Sequence, residues 1–459
     1  MKTLADPQHA LAEGLDAIRT EFQVPDGFPP AVLAAADEAA RRQPTDHVDR
    51  TDRAFVTLDP ATSTDLDQAF AIESAGADLL LHYAIADVAW FVDDEGVIDR
   101  EAWTRGETLY LPDRKAGLYP PILAEGAASL LPDGPRPAIV FTVRVDASGA
   151  VVLDGVERAL IRSRAKLAYE TVTDVDLPAG FADLAQRIQV DERRRGAARV
   201  DPPEQEIERV DGKLQLRFRP RLVSEDRNAA MSLATNMAVG QALLAHHTGL
   251  FRVMAAPDEA AVLRLRNTAK AFALAWPAAQ PLEDFTCTLD AAQPRAAAFM
   301  LAVRRAGHGA SYAPWHDGET PWHAAVAATY AQATAPLRRL ADRYVIRAAL
   351  AVANGQPVPA VVTAAFERLP KVMARADATA GRIDRAVIDL AEAIMLQGRE
   401  GDSFAAIVTD TDDRGARIQL TDYPIVARVD TTAIPGDAVR IRLAAVDVAK
   451  RNIQFERID

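Results

Sequence analysis

Three aspartates within nine positions, Asp59, Asp65 and Asp67, are the residues whose type and spacing could do chemistry. Carboxylates gathered this closely repel one another, and a hard cation with oxygen ligands relieves the repulsion. Magnesium or manganese suits such a set, because it takes a few carboxylates together with water and substrate phosphate. Aspartates beside Pro, Ser and Thr are more often the material of a turn than ligands, and the spacing alone leaves both readings open. The positioning elements are local. Phe55-Val56-Thr57-Leu58 is the short apolar run of a buried strand, Asp59-Pro60 stops it, and Ala61-Thr62-Ser63-Thr64 is loop chemistry. A second apolar run follows from Ala69 to Ile72. Strand alternation predicts Asp65 and Asp67 on one side, with the loop folding Asp59 back toward them.

At 459 residues the chain is long enough for two to four domains and a large core. One cysteine, Cys287, excludes an intramolecular disulfide and a cysteine-rich zinc module. The first residues carry acids early and no long apolar core, unlike a secretory signal. No apolar run reaches membrane-spanning length. These features point to a cytoplasmic protein without a membrane partner. The net charge, 52 − 65 = −13, argues against a nonspecific coat on nucleic acid, but leaves room for a basic channel on an acidic body.

Several further stretches could meet a polyanion. Arg162, Arg164 and Lys166 alternate, which would make one strand face basic and suited to a phosphate backbone, or simply solvated. In Thr334-Ala335-Pro336-Leu337-Arg338-Arg339-Leu340-Ala341-Asp342-Arg343, a helix after the proline would present Arg338 near its N-terminus, a good anion site. The alternative for Arg338 is a salt bridge to Asp342 at i,i+4. A long helix is expected over 225–244, including Glu225 and Asn228, and another from about Leu369 to Met395. Leu79 to Val92 reads as a dense strand-like run; its Asp87 is left outside the site, with a buried structural acid as the alternative to a functional one.

The wording of these stretches resembles the RNB family of exoribonucleases, the ribonuclease II and ribonuclease R group. Its signature is Asp, five residues, Asp, any residue, Asp, Asp. Asp59, Asp65 and Asp67 match the first three acids, and Gln68 stands at the fourth. The arginine stretch resembles a second family motif, with Ala335 and Leu340 as departures. The resemblance implies that Asp59, Asp65, Asp67 and Gln68 hold Mg2+ or Mn2+, that Asp67 is indispensable, and that Arg338 contacts the scissile phosphate. It also implies RNA contacts for Tyr110, Tyr169 and Arg339. Where ribonuclease II places an aromatic clamp, Glu192 to Pro203 offers Val200 and no aromatic.

The expected fold is α+β, with three parts. Residues 1–48 form a short helical segment, open between a helix-turn-helix and a helical brace. Residues 49–398 form an RNB catalytic domain with a mixed sheet and surrounding helices. Residues 399–459, with about five short strand-like runs, resemble an S1-type OB-fold β-barrel, in which Phe404, Tyr423, Arg417 and Arg428 are candidate RNA contacts. The implied activity is processive 3′→5′ hydrolysis of RNA to nucleoside 5′-monophosphates by a monomer acting on single-stranded 3′ ends, with tolerance of structured RNA. The alternatives are a catalytically impaired RNB-fold RNA-binding protein and a metal phosphoesterase acting on small nucleotides.

Overall fold

The computed structural model describes residues 10–459 except 198–203, 211–212, 220, 291–292, 308, 413–414, 422 and 424. Asp6-Pro7 and Val200 lie outside the described residues. Two helices open the chain, α1 (Ala10–Glu21) and α2 (Pro30–Ala39). Strands β1 (Val48–Asp49), β2 (Phe55–Asp59), β3 (Gln68–Ala75) and β4 (Asp78–Ala86) follow. Next come α3 (Val88–Phe91), α4 (Val97–Arg105) and a small hairpin of β5 (Leu109–Tyr110) and β6 (Lys115–Ala116). Then come β7 (Arg136–Val145), β8 (Val151–Ile161), β9 (Ser163–Ala168), α5 (Phe181–Arg195) and the hairpin β10 (Glu204–Val210) and β11 (Lys213–Arg219).

The long α6 (Val223–Ala245) precedes β12 (Leu250–Val253), α7 (Glu259–Ala271), α8 (Leu282–Thr286), α9 (Pro294–Ala306) and β13 (Ser311–Pro314). Two helices, α10 (Leu340–Ala353) and α11 (Ala360–Leu396), lead into β14 (Ser403–Asp412), β15 (Gly415–Leu420), β16 (Val426–Val429), β17 (Ala438–Asp447) and β18 (Asn452–Arg457).

The central sheet runs β1-β8-β7-β4-β3-β2-β9. Its middle is antiparallel, while β9 joins β2 and β1 joins β8 in parallel. The strands are rich in β-branched and aromatic residues. Phe70, Tyr83 and Phe141 share one buried core with Met231, Ala234 and Ala238 of α6 and Leu340 and Tyr344 of α10. The register sets Gln68 opposite Ile85 and Asp59 opposite Ala168, so both ends of the acid-bearing loop sit at one edge of the core. The expected strand-like run 79–92 divides into β4 and the short α3, because Asp87 breaks it.

The two N-terminal helices join different cores. Leu11, Leu15 and Ile18 of α1 pack on Ile383, Val387 and Leu390 of α11, whereas Val32 and Ala36 of α2 join the sheet core. Each such buried aliphatic side chain contributes roughly 1.5–3 kcal/mol. The two helices therefore pack on different parts of the chain. Helix α11 runs through Pro370 rather than starting beside it, its apolar face held by Phe366, Leu369 and Met373 in the core. The last five strands close a barrel, β14-β15-β16-β18-β17. Its core includes Phe404, Ile418, Ile441 and Phe455, together with Leu396 from the end of α11.

Segment 106–108 ties α4 to the approach of α10. Leu340 N donates to Gly106 O (3.0 Å) and Thr108 N donates to Arg338 O (3.0 Å). Gly106 has φ +78°, and an added Cβ would stand 2.8 Å from Ala376 Cβ on α11. The substitution Gly106→Ala is expected to destabilise the fold by about 1–3 kcal/mol, measured by urea denaturation. An unchanged midpoint would show that this segment is free to move.

Candidate active site

The loop that carries the acids is pinned from outside. Ser129 Oγ donates to Thr64 O (2.7 Å) and accepts from Leu66 N (2.9 Å), and Leu130 N donates to Leu66 O (3.0 Å). Leu66 is fully buried, which anchors Asp65 and Asp67 on either side of it. Both aspartates therefore sit in loop backbone just ahead of β3, and not on a strand face as alternation predicts. Asp67 is 6% exposed. Its Oδ1 accepts from Leu337 N at 2.7 Å, and its Oδ2 lies 3.6 Å from Arg338 Nε. Asp59 closes β2, where its carbonyl accepts from Tyr169 N (3.2 Å). Asp65 is drawn aside: Lys115 Nζ lies 2.8 Å from Oδ1, and the Tyr110 hydroxyl donates to Oδ2 at 3.4 Å. The hairpin register places Tyr110 opposite Lys115.

A turn delivers Arg338; α10 begins two residues later. The turn is shaped by buried polar groups. Asp342, with no exposed surface, accepts from Thr334 N (3.0 Å) and Ala335 N (2.8 Å), and from Arg339 Nε (3.0 Å) and Nη2 (2.8 Å). Asn236 of α6 accepts from Ala333 N (2.8 Å) and donates to Thr334 Oγ1 (3.3 Å). The salt bridge to Asp342 thus falls to Arg339 at i,i+3, which leaves Arg338 beside Asp67 with its side chain 46% exposed.

Burial dominates the electrostatics. It pushes the Asp67 carboxyl up to about 8, against the opposing pull of Arg338 and the Leu337 N–H. It pushes Asp59 up to about 7, against Arg338 and Lys166 and with Asp65 adding to the rise. The Tyr110 and Tyr169 hydroxyls are also held above their ordinary value, first by burial and then by Asp65 and Asp59 respectively. Among the described residues no three His, Cys, Asp or Glu side chains stand close enough to hold a metal ion, so the expected four-ligand set is not assembled. The donor chemistry nevertheless fits one hard cation. Asp67 is paired with the Arg338 guanidinium and Asp59 feels the same charge, and a divalent ion would restore the charged form of both. Magnesium commonly needs only one or two carboxylates, with water and phosphate completing its shell.

Four expectations are corrected. Gln68 is not turned toward a metal: its Nε2 donates to Thr334 O (2.7 Å), and its Oε1 accepts from the Tyr83 hydroxyl and from Ser232 Oγ (3.1 Å). Arg339 is committed to Asp342 rather than to RNA. Phe404 packs inside the barrel, edge-on to Tyr423 (5.7 Å) and Phe455 (6.0 Å), because the inward face of β14 takes it into the core. The Tyr423 ring is buried with it, its hydroxyl accepting from Arg399 Nη1 (2.7 Å).

Of the alternating cations, Arg164 and Lys166 donate to the carbonyls of Thr51 (2.6 Å) and Ala61 (2.9 Å), while Arg162 is exposed between β8 and β9. Arg428 pairs with Asp412. Glu225 caps its own helix through Leu222 N (2.7 Å), and Asn228 donates to the Tyr169 hydroxyl (2.8 Å). Asp87 is a buried acid paired with Arg158 and His47. Lys115, Ser129, Asn236 and Tyr83 escaped the sequence reading. Each is an ordinary residue in an ordinary context, and only long-range contact gives it a role.

Residues 47–354 match the RNB domain, and residues 402–458 match the RNase II-type exonuclease C-terminal S1 domain. The chain is 25% identical over 523 residues to the ribonuclease R of Aquifex aeolicus, covering 100% of this chain and 72% of that protein. RNase R of Mycoplasma genitalium, solved with ribose-methylated single-stranded RNA, superposes with a TM-score of 0.86 at 18% identity, covering 100% of this chain and 79% of that one. Yeast Ssd1, a pseudonuclease, gives a TM-score of 0.68 at 15% identity, covering 96% of this chain and 57% of that one.

Because Asp67 has a higher pKa in the folded chain than when unfolded, the fold holds its proton more tightly. That stabilisation is present below the unfolded value of about 4 and is lost as pH rises through about 8. Asp67→Asn removes this dependence. In metal-free protein the variant is expected to gain thermal midpoint relative to wild type as pH rises from 5 to 8. A pH-independent gap in differential scanning fluorimetry would contradict the desolvated carboxyl.

Proposed function

The chain belongs to the RNB family of exoribonucleases, and from that premise we propose that it hydrolyses RNA processively from the 3′ end to nucleoside 5′-monophosphates. The carrying observation is the meeting of Leu337 and Arg338 with buried Asp67, Leu337 lying 270 residues further along the sequence. A pseudonuclease shares the fold, so the fold alone does not decide activity; a half-exposed guanidinium fixed beside desolvated acids is the feature that favours it.

Asp59 and Asp67 would hold a divalent cation, Mg2+ or Mn2+. When bound, such an ion acidifies water and offsets charge on the leaving oxygen. The chain's own groups do the rest. Asp67 fixes the Arg338 guanidinium, which adds positive charge where the phosphorane-like state develops and needs no rearrangement to do so. Tyr110, half-exposed beside Asp65, offers a ring for the terminal nucleotide to stack on. Tyr169, held by Asn228 beside Asp59, bounds the other side of the acids. Contacts to the 2′-hydroxyl would give the preference for RNA, and exposed Arg162 is available to the backbone phosphates. The substrate is a single-stranded 3′ end, with structured RNA admitted behind it.

The second reading, an RNB-fold RNA-binding protein with impaired catalysis, draws on Gln68, which supplies no charge at the fourth acid position. Incubation of single-stranded RNA with Mn2+ or Mg2+ separates the two, mononucleotides being expected. Asp67→Asn and Arg338→Ala are each expected to slow turnover by about 10²-fold or more. Asp67→Asn should leave RNA affinity within about threefold, since phosphate contacts elsewhere carry it. Turnover of Asp67→Asn within about tenfold of wild type would show the site to be misassigned. On a 3′-tailed duplex, stalling several nucleotides ahead of every stem would refute tolerance of structure.

A further inference from the structure

Two adjacent residues, Asp67 at the end of the acid loop and Gln68 at the start of β3, grip the arginine turn at two points. Asp67 accepts from Leu337 N (2.7 Å), and Gln68 Nε2 donates to Thr334 O (2.7 Å). Thr334 begins the turn and Leu337 immediately precedes Arg338, so the two contacts bracket the segment that aims the guanidinium. The orientation of the Gln68 amide is fixed by its surroundings. A backbone carbonyl can only accept, so the nitrogen faces Thr334, and the oxygen faces the hydroxyls of Tyr83 and Ser232, which themselves lie 2.7 Å apart. Tyr83 is fully buried in the sheet core. A carboxylate placed here would set an oxygen against the Thr334 carbonyl and leave that carbonyl without its donor. The niche is complementary to a neutral amide.

We infer that Gln68 is a positioning residue that holds the Arg338 turn against the acid loop, and that the site consequently takes a single divalent ion. The inference deepens the proposed metal-assisted hydrolysis and rests on that reading. With Gln68 committed to Thr334, Tyr83 and Ser232, and Asp65 held by Lys115 at 2.8 Å, Asp59 and Asp67 are what remains of the expected ligand set, enough for one hard cation.

The test is titration of the full-length protein with Mn2+, followed by electron paramagnetic resonance of the free ion, beside steady-state kinetics on single-stranded RNA. Wild type is expected to bind one tight Mn2+ per chain. Gln68→Met, close in volume but unable to bond Thr334, should keep Mn2+ affinity within about threefold, because no ligand is lost. Its kcat should fall by about 10- to 100-fold with KM near wild type, since the guanidinium is misaligned in the transition state. Tyr83→Phe, which keeps the core ring, should lower kcat in the same direction, and the double variant should be no worse than Gln68→Met alone.

A second tight ion in the wild type would overturn the single-ion site, and a loss of Mn2+ affinity beyond about tenfold in Gln68→Met would make Gln68 a ligand and overturn its positioning role. Wild-type kcat in both single variants would overturn the positioning role. Failure of Mn2+ to bind the wild type at all would instead overturn the metal reading on which the inference stands.

Discussion

The contact between Asp67 and the Leu337–Arg338 backbone and side chain is the constraint on which the site depends. A carboxylate 6% exposed is disfavoured as an anion. Here it has one backbone N–H and one guanidinium at 3.6 Å to oppose that penalty. The compensation is partial, and burial still wins, as the upward shift of the group records. A site built this way is left short of positive charge. It gains most when a cation arrives.

The shape is held by groups that never touch substrate. Asp342 accepts four hydrogen bonds from the turn it follows. In doing so it removes Arg339 from competition and aims Arg338 the other way. Asn236 reaches the same turn from α6, and segment 106–108 reaches it from the end of α4. Four chain segments distant in sequence therefore meet through buried polar contacts, each satisfied within a low-dielectric interior where an unmade bond is expensive. The turn is rigid for that reason, and rigidity is what electrostatic stabilisation of a transition state requires.

What could be read from the sequence follows from range. The strand–loop–strand around Asp59 and Asp67 was legible because apolar runs and turn residues are local signals. The five-stranded barrel and the long helices were legible for the same cause. The choice between Arg338 and Arg339 was not open to periodicity: either could pair with Asp342, and the i,i+4 rule favoured the wrong one. The family wording decided it, and the Asp342 hydrogen bonds explain it. Gln68 could not be read at all, since its partners Tyr83, Ser232 and Thr334 lie 15, 164 and 266 residues away. Phe404 misled because an aromatic on a barrel strand suits a core and an RNA surface equally, and only the inward face of β14 separates them. The helix expected after Pro336 starts later because Asp342 bonds the backbone of 334 and 335 into a turn before helical bonding can begin.

The three aspartates, equal in the sequence, are made unequal by their surroundings. Asp65 has an ammonium at 2.8 Å and a tyrosine hydroxyl nearby, so its charge is already answered. Lys115 also reaches Glu125 at 3.1 Å, so it bridges two acids and draws Asp65 toward the β5–β6 hairpin. Among the described residues Asp59 and Asp67 have no ammonium at that distance; both feel the charge of Arg338, half exposed and 3.6 Å from Asp67. The same side chain thus serves as a tether in one place and as an incompletely compensated carboxyl in two others. Burial, not residue type, makes the distinction, and those two acids are where a divalent ion would do the most to lower the energy of the site.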